Sequence, residues 1–177
     1  MRPKLPSGLT PRGDPHVVHW HQDAGVAWAE ADPYFILTMW IPLVDATPEN
    51  GCLRVVPGVH QAGLLPHRTK RGTGTAIHGD LLAGKPIVTV PARKGSVLLM
   101  HKHTPHSSGR NTSDGVRWSM DLRYQATGTA TGRPFHPAFI VRSQADPQSV
   151  LTDYDEWCRR WEVALAKSAG TRVHRWS

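Results

Sequence analysis

The triplet His21-Gln22-Asp23 holds the first residues in this chain whose types and spacing could do chemistry. Residues i and i+2 of an extended strand project from one face. Residues 17–21 read as a strand with Asp23 at its end, so an imidazole and a carboxylate are presented side by side, as two arms of a metal site. A third ligand has to come from far along the chain. His101, His103 and His106 follow the apolar run 96–100, and any of them could supply it. The plain alternative is a polar loop with solvent-facing imidazoles. Two histidines and one carboxylate on one face of a metal, with open positions opposite, form the ligand set of non-haem Fe(II) oxygenases. Further on, Arg117, Ser119, Asp121 and Arg123 alternate with Val116, Trp118, Met120, Leu122 and Tyr124. A polar strand face usually meets water. Arg117 and Ser119 could instead face a cavity holding an anion, since a guanidinium binds a carboxylate through two parallel hydrogen bonds and stays charged when desolvated.

The elements that must position these groups are short. The first 18 residues read as an extended piece followed by a Pro- and Gly-rich loop, and residues 24–33 as a second loop. Residues 35–43 alternate clearly, Phe35, Leu37, Met39 and Ile41 against Ile36, Thr38 and Trp40, which predicts a strand closed by Pro42. Asn50-Gly51 signals a turn into a strand over 52–56, ended by Pro57-Gly58. Residues 61–84 lack a consistent period and read as a long loop. Strands follow over 87–90 and 96–100, the latter apolar enough to be buried. Residues 101–115 read as a polar loop, 116–125 as a last long strand, and 128–132 as flexible by composition. A helix closes the ordered chain, capped by Thr152, with Tyr154, Cys158, Trp161 and Leu165 as its apolar stripe. The tail 171–177 is expected to be loose. About seven strands and one helix predict a mainly β single domain, a sandwich or barrel, over 1–177.

Composition narrows the function classes. Hydrophobic residues make up 39% and charged residues 20%, ordinary for a soluble globular protein. No run approaches the length of a transmembrane span, and the N-terminus lacks a signal-peptide core, so a cytoplasmic location with no membrane partner is expected. Cys52 and Cys158 are isolated, which fits a reducing compartment. The formal charge is +7, and eight Lys or Arg lie between His67 and Arg110 against the single acid Asp80. Aromatic residues are not interleaved with them as a single-strand platform requires, so no nucleic-acid partner is expected. A solvated basic face or an anionic substrate remains. Oligomeric state and substrate identity are not legible.

Five blocks occur in an order that resembles a known family. They are His21-Gln22-Asp23; Trp40-Ile41-Pro42-Leu43; Glu49-Asn50-Gly51-Cys52-Leu53 with Pro57-Gly58-Val59-His60; His106-Ser107-Ser108 with Asn111-Thr112-Ser113; and Arg117 with Arg123-Tyr124. From about Arg2 to Gln125 the chain is similar to the phytanoyl-CoA dioxygenase family of Fe(II)- and 2-oxoglutarate-dependent oxygenases. The resemblance implies a double-stranded β-helix, a jelly-roll, cupin-like barrel with a C-terminal helix. It selects His106 over His101 and His103, beside His21 and Asp23, as Fe(II) ligands. It further implies that Arg117 pairs with the distal carboxylate of the co-substrate 2-oxoglutarate, with Gln22, Trp40 and Ser108 against it and Ser119 as a further candidate. His60 is expected to shape the barrel mouth. No other side chain is expected to be catalytic. The implied reaction is hydroxylation of a small organic molecule, anionic or linked to coenzyme A among the options, with release of succinate and carbon dioxide. In related halogenases a small residue replaces the metal carboxylate, whereas Asp23 is present here. Members of the family usually carry a longer stretch before the triplet, so the usual N-terminal helical part is expected to be lacking. The competing readings are a cupin-like metal protein without oxygen chemistry and a truncated, non-catalytic remnant.

Overall fold

In a computed structural model, residues 1–10, 17–70, 74–170 and 175–176 are described. Nine strands form three antiparallel sheets among them. The larger sheet runs β1 (Arg2–Lys4), β9 (Arg117–Gln125), β2 (Ile36–Pro42), β7 (Leu98–His101) in spatial order. The second runs β6 (Val88–Val90), β3 (Leu53–Val55), β8 (His106–Ser108). A hairpin of β4 (His67–Lys70) and β5 (Gly74–Ile77) lies beside them. Isolated bridges at His21–His106 and Ala46–Ala92 extend the second sheet. Trp40 and Met100 from the larger sheet pack against Leu53 of the second, with Ala46 and Cys52, as the core between them. This is the mainly β, jelly-roll arrangement of a double-stranded β-helix, followed by one C-terminal helix, α2 (Tyr154–Ser168).

Period-two alternation decides which side chains face inwards. In β2 the inward set is Ile36, Thr38 and Trp40, all buried. Its long register with β9 places Thr38 opposite Arg123 and Trp40 opposite Asp121. In β9 the polar face turns inwards: Arg117 and Ser119 are buried while Trp118 is 40% exposed. A strand with one polar face ordinarily presents that face to water. Here the inside of the barrel is a polar chamber, so the pattern is inverted.

Several local expectations give way to tertiary contacts. Residues 17–20 are not a strand; only His21 bridges, and Asp23 opens a short helix, α1 (Asp23–Val26), where a loop was expected. The long loop over 61–84 contains β4 and β5, and the polar loop over 101–115 contains β8. In β7 only Met100 is buried, and Leu99 is 55% exposed, so this strand is half covered rather than enclosed. Asp153, not Thr152, caps α2 by accepting from the backbone N–H groups of Asp155 and Glu156. The helix seats Trp157 and Trp161 against Phe139 and His136, leaving Tyr154 and Leu165 of the expected stripe largely exposed. Segment 128–132 carries hydrogen bonds to its surroundings: the Gln125 amide donates to the carbonyls of Thr129 and Ala130, and Trp28 N–H donates to Gly132 O. Of the tail, 171–174 and 177 lie outside the described residues. Of its described residues, Arg175 forms a two-pronged pair with Asp32 and Trp176 Nε1 donates to Gly25 O. Among the described residues no helix is long and apolar enough to cross a membrane.

Candidate metal centre

His21, Asp23 and His106 are all buried, and one potential ligand atom from each lies within 4.8 Å of the others. The local geometry comes from three sources. His21 and His106 exchange backbone hydrogen bonds of 3.0 and 2.9 Å across their bridge, which sets their rings 4.2 Å apart. Gln22, between His21 and Asp23, is extended (φ −111°, ψ 143°), so its two neighbours project to one side. β8 holds His106 by pairing it with Val55 of β3.

The surrounding hydrogen bonds orient the ligands. His21 Nδ1 lies 2.9 Å from His19 O, and His106 Nδ1 lies 2.9 Å from Thr104 O. A proton on Nδ1 that is donated to a carbonyl leaves Nε2 as the lone-pair donor at the centre, the usual arrangement for a metal-bound histidine. Thr38 Oγ1 donates to Asp23 Oδ2, and Arg123 Nη2 pairs with Asp23 Oδ1. Burial, reinforced by the neighbouring His106, brings the His21 pKa down to about 3, so the ring is neutral at pH 7 and ready to ligate. Burial works to raise the Asp23 pKa, but Arg123, His106 and His21 together hold the carboxyl well below the ordinary carboxylate range. A neutral imidazole at His21 and an ionised carboxylate at Asp23 are the charge states a divalent ion requires of such groups.

A cavity of about 210 Å³ opens from this triad into the barrel, lined by Trp40, Ser108, Arg117 and Ser119 among others. Arg117 is 4% exposed, yet among the described residues its Nε and Nη1 have no hydrogen-bond partner, and nor does Ser119 Oγ. Buried polar groups are nearly always paired. Unmatched donors on a guanidinium that also lies 5.5 Å over the Trp40 ring are the features of an anion seat in the cavity wall. Ser108 lines the same space, and its Oγ accepts from Val18 N–H.

Gln22 is placed elsewhere. Its amide nitrogen donates to Gly63 O and His103 O, its amide oxygen accepts from Leu65 N–H, and it does not line the cavity. Its bonds tie the His21–Asp23 segment to the loops that carry Gly63, Leu65 and His103. His101 and His103 stand apart from the triad, stacked edge to face with each other, and His60 lies 6.0 Å from His101. Two contributors lay outside the expected set. Thr38 and Arg123 both touch Asp23, and the signal for each was parity, because they share the inward faces that carry Trp40 and Arg117.

The comparisons agree with this geometry. The family model described as phytanoyl-CoA dioxygenase matches residues 10–119. A phytanoyl-CoA dioxygenase domain-containing protein 1 of Bos taurus is 33% identical over 116 residues, covering 62% of this chain and 40% of that relative. A methylphosphonate hydroxylase of Gimesia maris is 38% identical over 90 residues, covering 51% of this chain and 33% of that relative. The chain thus spans less than half the length of these curated relatives. Among solved structures, EvdO2 of Micromonospora carbonacea complexed with 2-oxoglutarate aligns with a TM-score of 0.53 at 26% identity, over 73% of this chain and 53% of that one. The non-heme monooxygenase ThoJ shares the fold, with a TM-score of 0.60 at 22% identity over 88% of this chain and 63% of that one. With the matched segment taking in His21, Asp23, His106 and Arg117, this chain belongs to the phytanoyl-CoA dioxygenase family.

Proposed function

We propose that this domain is an Fe(II)- and 2-oxoglutarate-dependent dioxygenase that hydroxylates a small organic substrate. The observation that carries this reading is that a buried His-Asp-His triad and the unmatched guanidinium of Arg117 line one cavity. A metal protein without oxygen chemistry needs the triad but has no use for that arginine. The relatives support the same class: one has a bound 2-oxoglutarate in its solved structure, and another is named a hydroxylase of methylphosphonate, itself an anion.

His21 Nε2, a carboxylate oxygen of Asp23 and His106 Nε2 would hold the metal. Fe(II) so held, with 2-oxoglutarate, supplies the oxygen chemistry that yields succinate, carbon dioxide and a hydroxylated product. Arg117 binds the distal carboxylate of the co-substrate, Ser119 Oγ adds a hydrogen bond beside it, and Trp40 forms an apolar wall under the guanidinium. Thr38 and Arg123 orient the Asp23 carboxylate.

The test is succinate release from 2-oxoglutarate in the presence and absence of Fe(II), together with 2-oxoglutarate binding under anaerobic conditions. Arg117→Ala removes a charge-assisted pair, which typically contributes about 1.5–3 kcal/mol, and should weaken 2-oxoglutarate roughly 10- to 100-fold while metal binding persists. An unaltered protein that takes up Fe(II) but shows the same 2-oxoglutarate affinity as Arg117→Ala would sink the reading.

A further inference from the structure

A second cavity, about 610 Å³, shares Asp23, Asp121 and Arg123 with the first, so the Asp23–Arg123 pair lines both. Its volume suits a small organic molecule rather than a single co-substrate end. Its floor is the start of α1 and the end of β9, and its roof is the segment 126–142 with Trp161 of α2. The roof is anchored. Trp28 N–H donates to Gly132 O, and Gly132 (φ 64°) sits so close to α1 that a Cβ there would lie 2.8 Å from that of Ala27. The helix that presents the metal carboxylate and the segment that roofs the cavity are therefore one packed unit.

The lining divides by chemistry. Ile36, Phe139 and Ile140 give an apolar wall, whereas Arg133 and His136 contribute cationic or potentially cationic groups. These two are linked through Phe135, with the Arg133 guanidinium 5.5 Å over its ring and the His136 ring 4.7 Å from it. The acids on the wall, Asp23 and Asp121, are each engaged by a basic side chain, Arg123 and Arg2. Burial and the positive neighbours Arg133 and Arg123 push the His136 pKa down, as expected where like charges crowd together.

We propose that this cavity is the substrate site and that it takes a small organic anion, a carboxylate or phosphonate on an apolar body, with Arg133 and His136 holding the charged end. The inference rests on the oxygenase reading, because the shared Asp23 wall is what places a bound molecule next to the metal. A planar guanidinium accepts either oxyanion bidentately, and the apolar wall accounts for the body of the ligand.

The test is calorimetric titration of hexanoate and hexylphosphonate into protein holding Mn(II) and saturating 2-oxoglutarate, with hexan-1-ol as the uncharged comparison. Both anions should bind at least tenfold more tightly than the alcohol, and the tighter of the two identifies the preferred head group. Arg133→Gln and His136→Gln should each weaken the anions five- to tenfold, Arg133→Lys should weaken them less, and 2-oxoglutarate affinity should stay within twofold. Hexan-1-ol binding as tightly as the anions, or glutamine variants with unchanged anion affinity, would overturn the inference. So would 2-oxoglutarate binding without binding of either anion. Failure of the unaltered protein to bind 2-oxoglutarate would instead remove the oxygenase reading on which it rests.

Discussion

Asp23 is held by two groups with different duties. Thr38 Oγ1 donates to one carboxylate oxygen and Arg123 to the other, so whichever oxygen ligates, its partner remains oriented. Groups that orient metal ligands typically contribute 10- to 100-fold to metal affinity. Thr38→Val keeps the shape and the β-branch but removes the donor, so Fe(II) affinity should fall roughly tenfold while 2-oxoglutarate contacts at Arg117 are untouched. Anaerobic Fe(II) titration reads this directly; an unchanged affinity would mean that Arg123 alone fixes the carboxylate. At this scale the sequence was only partly legible. His21 and Asp23 are visible because their relation is local, through one extended residue. His106 could not be separated from His101 and His103 by its own neighbours, since what distinguishes it is a backbone bridge to a residue 85 positions away. The placement of the Gln22 amide was illegible for the same reason: its three partners, Gly63, Leu65 and His103, all lie far along the chain.

Elements built on apolar alternation were legible, and those built on the site were not. β2 and β9 follow period two and occur where expected, although β9 turns its polar face inwards because the interior is a polar chamber. β8 is His106-Ser107-Ser108, a strand with no apolar residue, stabilised by its pairing with β3 and buried because it lines the site. No local rule marks such a segment as a strand. The hairpin β4–β5 has a buried apolar residue only in Ile77 of β5, and it places His67 beneath α1, where Nε2 accepts from Gln22 N–H. This packing makes Gly25 a requirement of the element: a Cβ there would fall 2.3 Å from His67 Nε2. Gly25→Ala should therefore displace α1, cost about 1–3 kcal/mol in urea unfolding and weaken Fe(II) binding, since Asp23 is the first residue of that helix. Gly79→Ala, where an added Cβ meets nothing within 4 Å, is the matched control and should be near neutral. Equal effects from the two substitutions would show that α1 tolerates movement.

For the whole molecule, the balance of buried titratable groups sets how stability depends on pH. His21 titrates at about 3 in the native state and near its ordinary value of 6.5 in the unfolded chain, because burial and the adjacent His106 disfavour the imidazolium. Between those values the unfolded chain binds a proton that the native state refuses, so stability declines as pH falls below 6.5. At pH 5 this one ring contributes a loss of about 2 kcal/mol. His67, His101, His103 and His136 are all shifted downwards, burial being the leading cause in each, and so act with the same sign over the same range. Asp23, held well below the carboxylate range, adds its loss only at lower pH, as the unfolded carboxyl begins to protonate. A chain already at +7 gains further positive charge as its histidines protonate, so self-repulsion works in the same direction. The urea midpoint of the metal-free protein should therefore drop steadily from pH 7.5 to pH 5, and His21→Gln should show a shallower drop. A flat or rising profile would mean that these imidazoles reach water in the native state, which would also remove the basis for a neutral His21 ready to ligate.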